Sequence, residues 1–277
     1  MTGEHEQDSE ETRTEPAATV LLLRDGGAGL EVFMIARRQE VSTFSGALVF
    51  PGGKVDVGDH APELRALAPG AESLDTDTLA LRVAAIREAF EECGVLLARS
   101  QGDGVVIGQE RLDEITANWQ RRIATDEAGM LELCRAERLE LAVDALVPFA
   151  HWITPPIVPR IYDTHFFLAA APADHVAPPD GHEGEDSVWI APGEAEAEAA
   201  AGTRTVVFPT RMNLIKLARA SSVAEALARA RAAEVVTVQP RVSRHERGRV
   251  LAIPEAANYG ATRFLVGPGG VGVEVLG

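Results

Sequence analysis

Three glutamates, Glu88, Glu91 and Glu92, stand at positions i, i+3 and i+4 in the run Arg87-Glu88-Ala89-Phe90-Glu91-Glu92-Cys93-Gly94-Val95. On a helix this spacing gathers all three carboxylates on one face. Like charges four residues apart destabilise a helix by about 0.2–0.5 kcal/mol per pair. Carboxylates in a last turn also oppose the helix dipole, by about 0.3–1 kcal/mol each at exposed sites. Arg87, four residues before Glu91, offsets part of this. The spacing taken alone fits two readings equally. One is a solvated acidic face. The other is a set of hard oxygen donors for a divalent cation.

The elements that must position these groups can be read from apolar spacing. Leu79, Val83, Ile86, Phe90 and Cys93 form one narrow stripe, so Leu79–Cys93 is expected to be a helix with the glutamates opposite. Gly94 stops it as a left-handed cap would. Before it, Thr19–Leu23 and Glu31–Ala36 flank Asp25-Gly26-Gly27 and read as a hairpin. Ala47–Phe50 is a short apolar run ending at the turn Pro51-Gly52-Gly53, and 57–78 reads as loop with room for one helical turn. Two helices are expected within 110–140, strands at 145–152, 161–170 and 188–190, and a helix over 212–233 broken near Ser221-Ser222. Ala195–Ala201 reads as a helix end or loop. Strand-like runs return at 235–238, 249–253, 264–266 and 271–275. The pattern is that of an α/β (α+β) layered domain with a mixed sheet.

Composition narrows the partners. The chain has 277 residues with a formal net charge of −16, 42 acids against 26 bases. Such a surface repels a nucleic-acid backbone, anionic lipid and free polyphosphate, so no nucleic-acid or membrane partner is expected. A chain this acidic that handles phosphates needs a metal or a local cluster of Arg and Lys. No apolar run is long enough for a membrane helix, and the acidic start matches no leader or transit peptide. Two cysteines without a Cys-x-x-Cys pair suit a reducing, cytoplasmic compartment. Residues 1–16, with six acids, read as a disordered acidic tail.

The run from Arg87 to Val95 resembles the R-E-U-x-E-E-x-G-U core of the Nudix box (U aliphatic), and Gly53 with Asp59 resembles its opening G-x5-E. The chain is therefore identified as similar to the Nudix hydrolases, which cleave nucleoside diphosphates linked to another moiety. It departs from the box in two ways. Asp59 stands where Glu is usual, and residues 60–86 intervene where seven residues are usual. Ala36-Arg37-Arg38, Phe44–Gly53, His151–Pro155 and Pro159–Phe167, together with this long insertion, resemble the branch containing the acyl-CoA diphosphatases. The resemblance runs from about residue 17 to 220. It implies a Nudix α/β/α sandwich over 17–234, with insertions at about 60–78 and 110–140. Residues 235–277 are then a strand-rich extension packed on the same domain.

The resemblance implies Mg²⁺ or Mn²⁺ on Glu88, Glu91 and Glu92, with the Gly53 carbonyl as a further ligand and Glu88 as the favoured base. Arg87 would orient Glu91. A later carboxylate would come from His182–Asp186, with Glu183 first and Glu185 second; the same segment also fits a plain polar turn. Arg160 and one of Arg37 and Arg38, which face opposite ways on a strand, would contact phosphates. The implied substrate is CoA or acyl-CoA. Alternatives are the same chemistry on ADP-ribose, NADH or dinucleoside polyphosphates, or a Nudix-fold ligand sensor without turnover, against which the intact glutamate set argues. A homodimer fits the family.

Other signals carry less. Gly267-Pro268-Gly269-Gly270-Val271-Gly272 formally reads G-x-G-x-x-G, but no helix follows it. His151 and His165 sit in apolar strand-like runs and read as satisfied structural histidines. Trp119 reads as core, and Cys93 as a small hydrophobe on the apolar stripe.

Overall fold

One thirteen-residue strand organises the molecule. The computed structural model describes residues 14–36, 46–102, 104–157, 160–172, 187–267 and 270–276. Strand β1 (Thr14–Gly26) turns back into β2 (Gly29–Ala36), with Leu23 opposite Val32. The hairpin expected from the Asp25-Gly26-Gly27 turn is therefore present. Thr14, Glu15 and Pro16 already pair with Ile161, Tyr162 and Asp163, so the tail expected over 1–16 gives way to strand at Thr14. Backbone pairing holds these three residues, which an apolar pattern does not register. Strands β3 (Leu48–Val49) and β4 (Gly52–Lys54) follow on either side of Pro51. Two 3₁₀ turns, Val57–His60 and Pro62–Leu67, occupy much of the segment expected to be loop.

Helix α1 (Thr76–Cys93) is the long helix expected from the apolar stripe. The Asp75 side chain caps its first turn by accepting from the Thr78 amide at 2.7 Å. Gly94, at φ 67°, ends it in the left-handed region that favours glycine. Strand β5 (Ala98–Ser100), helix α2 (Gln109–Ile115), a π turn (Thr116–Gln120), α3 (Arg121–Ala124) and α4 (Met130–Glu137) lead to β6 (Leu139–Leu141), which pairs with β5. Then come β7 (Val147–Ile153), β8 (Ile161–Ala170), β9 (Ser187–Ile190), α5 (Pro192–Ala201), α6 (Phe208–Leu217) and α7 (Val223–Ala232). Ala195–Ala201, expected as a helix end or loop, belongs to a full ten-residue helix. Pro192 in its first turn and Gly202 at φ 73° delimit it, and alanine's high propensity sustains it without apolar periodicity. The break expected near Ser221-Ser222 is there, and Ser222 caps α7. Strands β10 (Thr237–Val238), β11 (Arg241–His245), β12 (Gly248–Ala252), β13 (Arg263–Val266) and β14 (Val273–Val275) complete the described chain.

The main sheet runs β10-β7-β8-β1-β2-β3, with β4 on β1 and β9 on β2. Pairs β1/β8 and β7/β10 are parallel and the rest antiparallel, so the sheet is mixed as expected. Alternation along β1 divides two cores. Ala18, Val20 and Leu22 face α1 with Ile86 and Phe90. Leu21 and Leu23 face Trp152, Phe166, Phe208 and Met212. Strands β11 to β14 form a second, antiparallel sheet whose Phe264 and Val266 join that second core. A buried hydrogen-bonded chain fastens the second sheet's region to the main body. Trp152 Nε1 donates to Tyr259 Oη at 3.1 Å, and that hydroxyl donates to Asn213 Oδ1 at 2.9 Å.

Candidate functional site

The glutamate face of α1 is not a solvated face. It docks on the glycine turn, and Glu88 is only 9% exposed. The backbone N–H of Gly52 donates to Glu92 Oε2 at 2.9 Å. A Cβ at Gly53 would overlap the Glu88 carboxylate. The turn is glycine here because helix and strand approach too closely for a side chain. The two neighbouring glycines differ in what they contact. At Gly52 a Cβ would lie 2.6 Å from the Ala18 carbonyl oxygen, which cannot move aside. At Gly53 it would meet only the end of a flexible side chain. Gly53→Ala is therefore expected to fold, at a cost of about 1–3 kcal/mol, while displacing the Glu88 carboxylate from its place beside Arg87. Melting temperature and turnover measured on the same sample check this. Given the expected role of Glu88 in the reaction, turnover should fall roughly a hundredfold.

Arg87 is the hub. Its Nη1 donates to Glu88 Oε1 at 2.9 Å and to Glu91 Oε1 at 3.0 Å. Its Nη2 donates to the Lys54 carbonyl at 2.7 Å and to Asp59 Oδ2 at 3.0 Å, and Nε reaches Asp59 Oδ1 at 3.1 Å. Asp59 is 2% exposed and also accepts from the Asp56 amide at 2.9 Å. So the acid that replaces the usual glutamate, displaced 28 residues upstream, anchors the arginine. Burial works against the charge on Arg87, but the Asp59, Glu88 and Glu91 carboxylates more than offset it and hold its pKa above the usual arginine value.

The carboxylates outnumber their cation. Asp59, Glu88, Glu91 and the half-exposed Asp56 (3.5 Å away) share the Arg87 guanidinium, and Glu92 adds a further carboxylate at the Gly52 amide. Burial pushes the Glu88 carboxyl up to about 7, although Arg87 pulls the other way. Burial raises Glu91 as well. Such an excess of buried carboxylate is the donor chemistry that a hard divalent cation satisfies.

Gln120 was not legible as part of this arrangement. Its Nε2 donates to the carbonyls of Phe90 at 2.9 Å and Glu91 at 3.0 Å, capping the last turn of α1. The π turn 116–120 presents it, and only the helical insertion expected at 110–140 pointed to an element packing there. Trp119 is buried and gives its Nε1 to Glu137, and Cys93 is buried on the apolar side of α1.

A cavity of about 1090 Å³ lies on the other side of the glycine turn. Gly52 and Gly53 line it, with Trp152, Phe166 and Phe208 from the second core and Leu251 and Val266 from the second sheet. Gly267 and Gly270, from the G-x-G-x-x-G run, also border it. Arg160 is exposed immediately ahead of β8. Arg37, Arg38, Glu183 and Glu185 lie outside the described residues. His151 and His165, expected as satisfied structural histidines, stack on each other with ring centroids 4.0 Å apart.

Residues 70–211 match the family model of the NUDT19 Nudix domain. An acyl-coenzyme A diphosphatase NUDT19 from Homo sapiens is 28% identical, covering 60% of this chain and 55% of that protein. The protein of the same name from Xenopus laevis is 25% identical, over 60% of this chain and 53% of that one. The chain thus spans about half the length of the curated relatives it matches. Among solved structures, a NUDIX hydrolase from Alicyclobacillus acidocaldarius superposes with a TM-score of 0.62 at 25% identity, covering 79% of this chain and 97% of that one.

Proposed function

Since the chain belongs to the NUDT19 Nudix domain family, we propose that it is a metal-dependent diphosphatase acting on coenzyme A or its acyl thioesters. The observation that carries this reading is the pair of glycines shared by two features. On one side Gly52 and Gly53 contact Glu92 and Glu88. On the other they border a large cavity walled by Trp152, Phe166, Phe208 and Leu251. A diphosphate held at the turn would place an apolar thioester arm in that cavity.

Glu88, Glu91 and Glu92 would hold Mg²⁺ or Mn²⁺, with the Gly53 carbonyl beside them. When bound, the metal neutralises charge on the diphosphate and acidifies the attacking water. Arg87 fixes Glu88 and Glu91 through one nitrogen and thereby sets their spacing. Glu88 is the proposed general base, oriented by the hydrogen bond its Oε1 accepts from Arg87. Glu183 is the proposed additional carboxylate, with Glu185 as second choice. Arg160 and one of Arg37 and Arg38 are proposed to contact the phosphates. Little covalent chemistry is asked of the protein in phosphoryl substitution, so a carboxylate cluster on a rigid helix suffices.

A mass-spectrometric screen tests the reading. Purified protein with Mg²⁺ or Mn²⁺ is offered CoA, short- and long-chain acyl-CoA, ADP-ribose, NADH and diadenosine polyphosphates. The expected result is cleavage of the CoA compounds to two phosphomonoesters, one of them 4′-phosphopantetheine or its acyl derivative. A kcat/KM for ADP-ribose or NADH ten times higher than for any CoA compound overturns the substrate assignment. No hydrolysis of any of them overturns the enzyme reading in favour of a ligand sensor.

A further inference from the structure

The mixed sheet brings together three residues that the sequence keeps apart. His151 on β7 sits directly opposite His165 on β8, and Asp163 lies two residues before His165, on the same face. One potential ligand atom from each of the three falls within 4.8 Å of the others. His151 Nε2 contacts Asp163 Oδ1, and His165 Nε2 is 3.7 Å from that oxygen. All three side chains are part-exposed, so solvent and ions can reach them.

Two features go beyond an ordinary ion pair. His151 Nδ1 is 2.8 Å from Thr237 Oγ1 on the neighbouring strand β10. That hydrogen bond fixes the ring and directs Nε2 into the cluster, as a supporting hydrogen bond does for a metal-ligating histidine. A single carboxylate also serves both imidazoles, whose stacked rings would splay apart to bring both Nε2 lone pairs onto one ion. A divalent ion with ligand bonds near 2.1 Å places its donor atoms roughly 3–4 Å apart; His165 Nε2 and Asp163 Oδ1, at 3.7 Å, have that spacing, and His151 and Asp163 exchange their direct hydrogen bond for the ion.

We propose that His151, Asp163 and His165 form a second divalent-metal site, selective for a transition metal such as Zn²⁺ over Mg²⁺. The donor set decides the selectivity: two imidazoles and one carboxylate suit Zn²⁺ and its neighbours, whereas all-oxygen sets suit Mg²⁺. The site is separate from the glutamates and does not rest on the diphosphatase reading. Across the sheet the row runs Thr237, His151, His165, Ala18, Gly53. His165 is thus two strand spacings, about 10 Å, from the glycine that abuts Glu88. A cation there places positive charge on the α1 face of a strongly acidic chain, beside the carboxylate cluster.

The test isolates this site by disabling the other. The Glu91→Gln/Glu92→Gln double variant, stripped of metal, is titrated with Zn²⁺ by calorimetry at pH 7.5, and with Co²⁺ while visible absorption reports imidazole coordination. One equivalent of Zn²⁺ should bind, and 10 mM Mg²⁺ should not displace it. Adding His151→Asn or His165→Asn should weaken binding at least tenfold, and Thr237→Ala should weaken it roughly tenfold as loss of a supporting hydrogen bond does. Metal-free melting temperatures confirm that each variant is folded. Absence of Zn²⁺ uptake by the double variant overturns the proposal, leaving an ordinary His–Asp ion pair. So does uptake that survives both histidine substitutions, or ready displacement by Mg²⁺.

Discussion

Glu92→Gln should lower kcat by at least about 10³-fold without unfolding the protein. The substitution keeps the shape of the side chain, and an amide oxygen can still accept the Gly52 N–H that now bonds to Glu92 Oε2 at 2.9 Å. What is lost is one negative charge from the set proposed to hold a dication. Removing a group that stabilises transition-state charge costs roughly 10²–10³ in kcat. Loss of a metal ligand compounds this through weaker occupancy. Steady-state kinetics across a Mg²⁺ titration, with circular dichroism on the same samples, provide the check. Undiminished turnover at ordinary Mg²⁺ would remove Glu92 from the site. Glu91→Gln should behave similarly, with a larger stability change because Glu91 also accepts from Arg87 at 3.0 Å.

Asp59→Ala is expected to produce the largest loss of stability. Asp59 is 2% exposed and meets Arg87 through both carboxylate oxygens. Deleting one partner of a buried pair leaves the other charge uncompensated, at a cost of about 3–5 kcal/mol. Glu88 and Glu91 remain beside Arg87 and keep the figure toward the lower end. In a chain of this size each kcal/mol is worth about 2–4 °C of melting temperature, so a drop of about 10 °C is expected. Activity should fall as well, because Arg87 freed from Asp59 no longer holds the spacing of Glu88 and Glu91. Thermal unfolding with a parallel activity assay reads both effects. A melting temperature within 2 °C of the parent would show that Asp59 does not anchor the arginine.

These two residues also show what the sequence could and could not reveal. The spacing of Glu88, Glu91 and Glu92, the stripe from Leu79 to Cys93 and the stop at Gly94 are local patterns, and α1 follows them. The role of Asp59 is not local. Twenty-seven residues separate it from Arg87, and only the folded 3₁₀ turn at Val57–His60 closes that distance. Strand β11 escaped notice because Arg241, Ser243, Arg244 and His245 carry no apolar alternation; it is held by backbone pairing to β12. Helix α5 escaped for a similar reason, since alanine propensity leaves no periodic trace. His151 and His165 each look like a lone histidine in an apolar run. Their contact depends on the register of β7 against β8, which no single segment encodes. Gln120 caps a helix thirty residues away through a turn whose π geometry has no clear sequence signal.

The wall contributed by Gly248, Leu251 and Val266 is built from strands more than 150 residues beyond the glutamate helix. Substitutions there can enlarge, narrow or repolarise the chamber while leaving every carboxylate in place. On the proposed reading, the reaction and the choice of substrate are thus heritable separately in this architecture. Descendants of one ancestor could keep the reaction and drift, one side chain at a time, toward different cargoes.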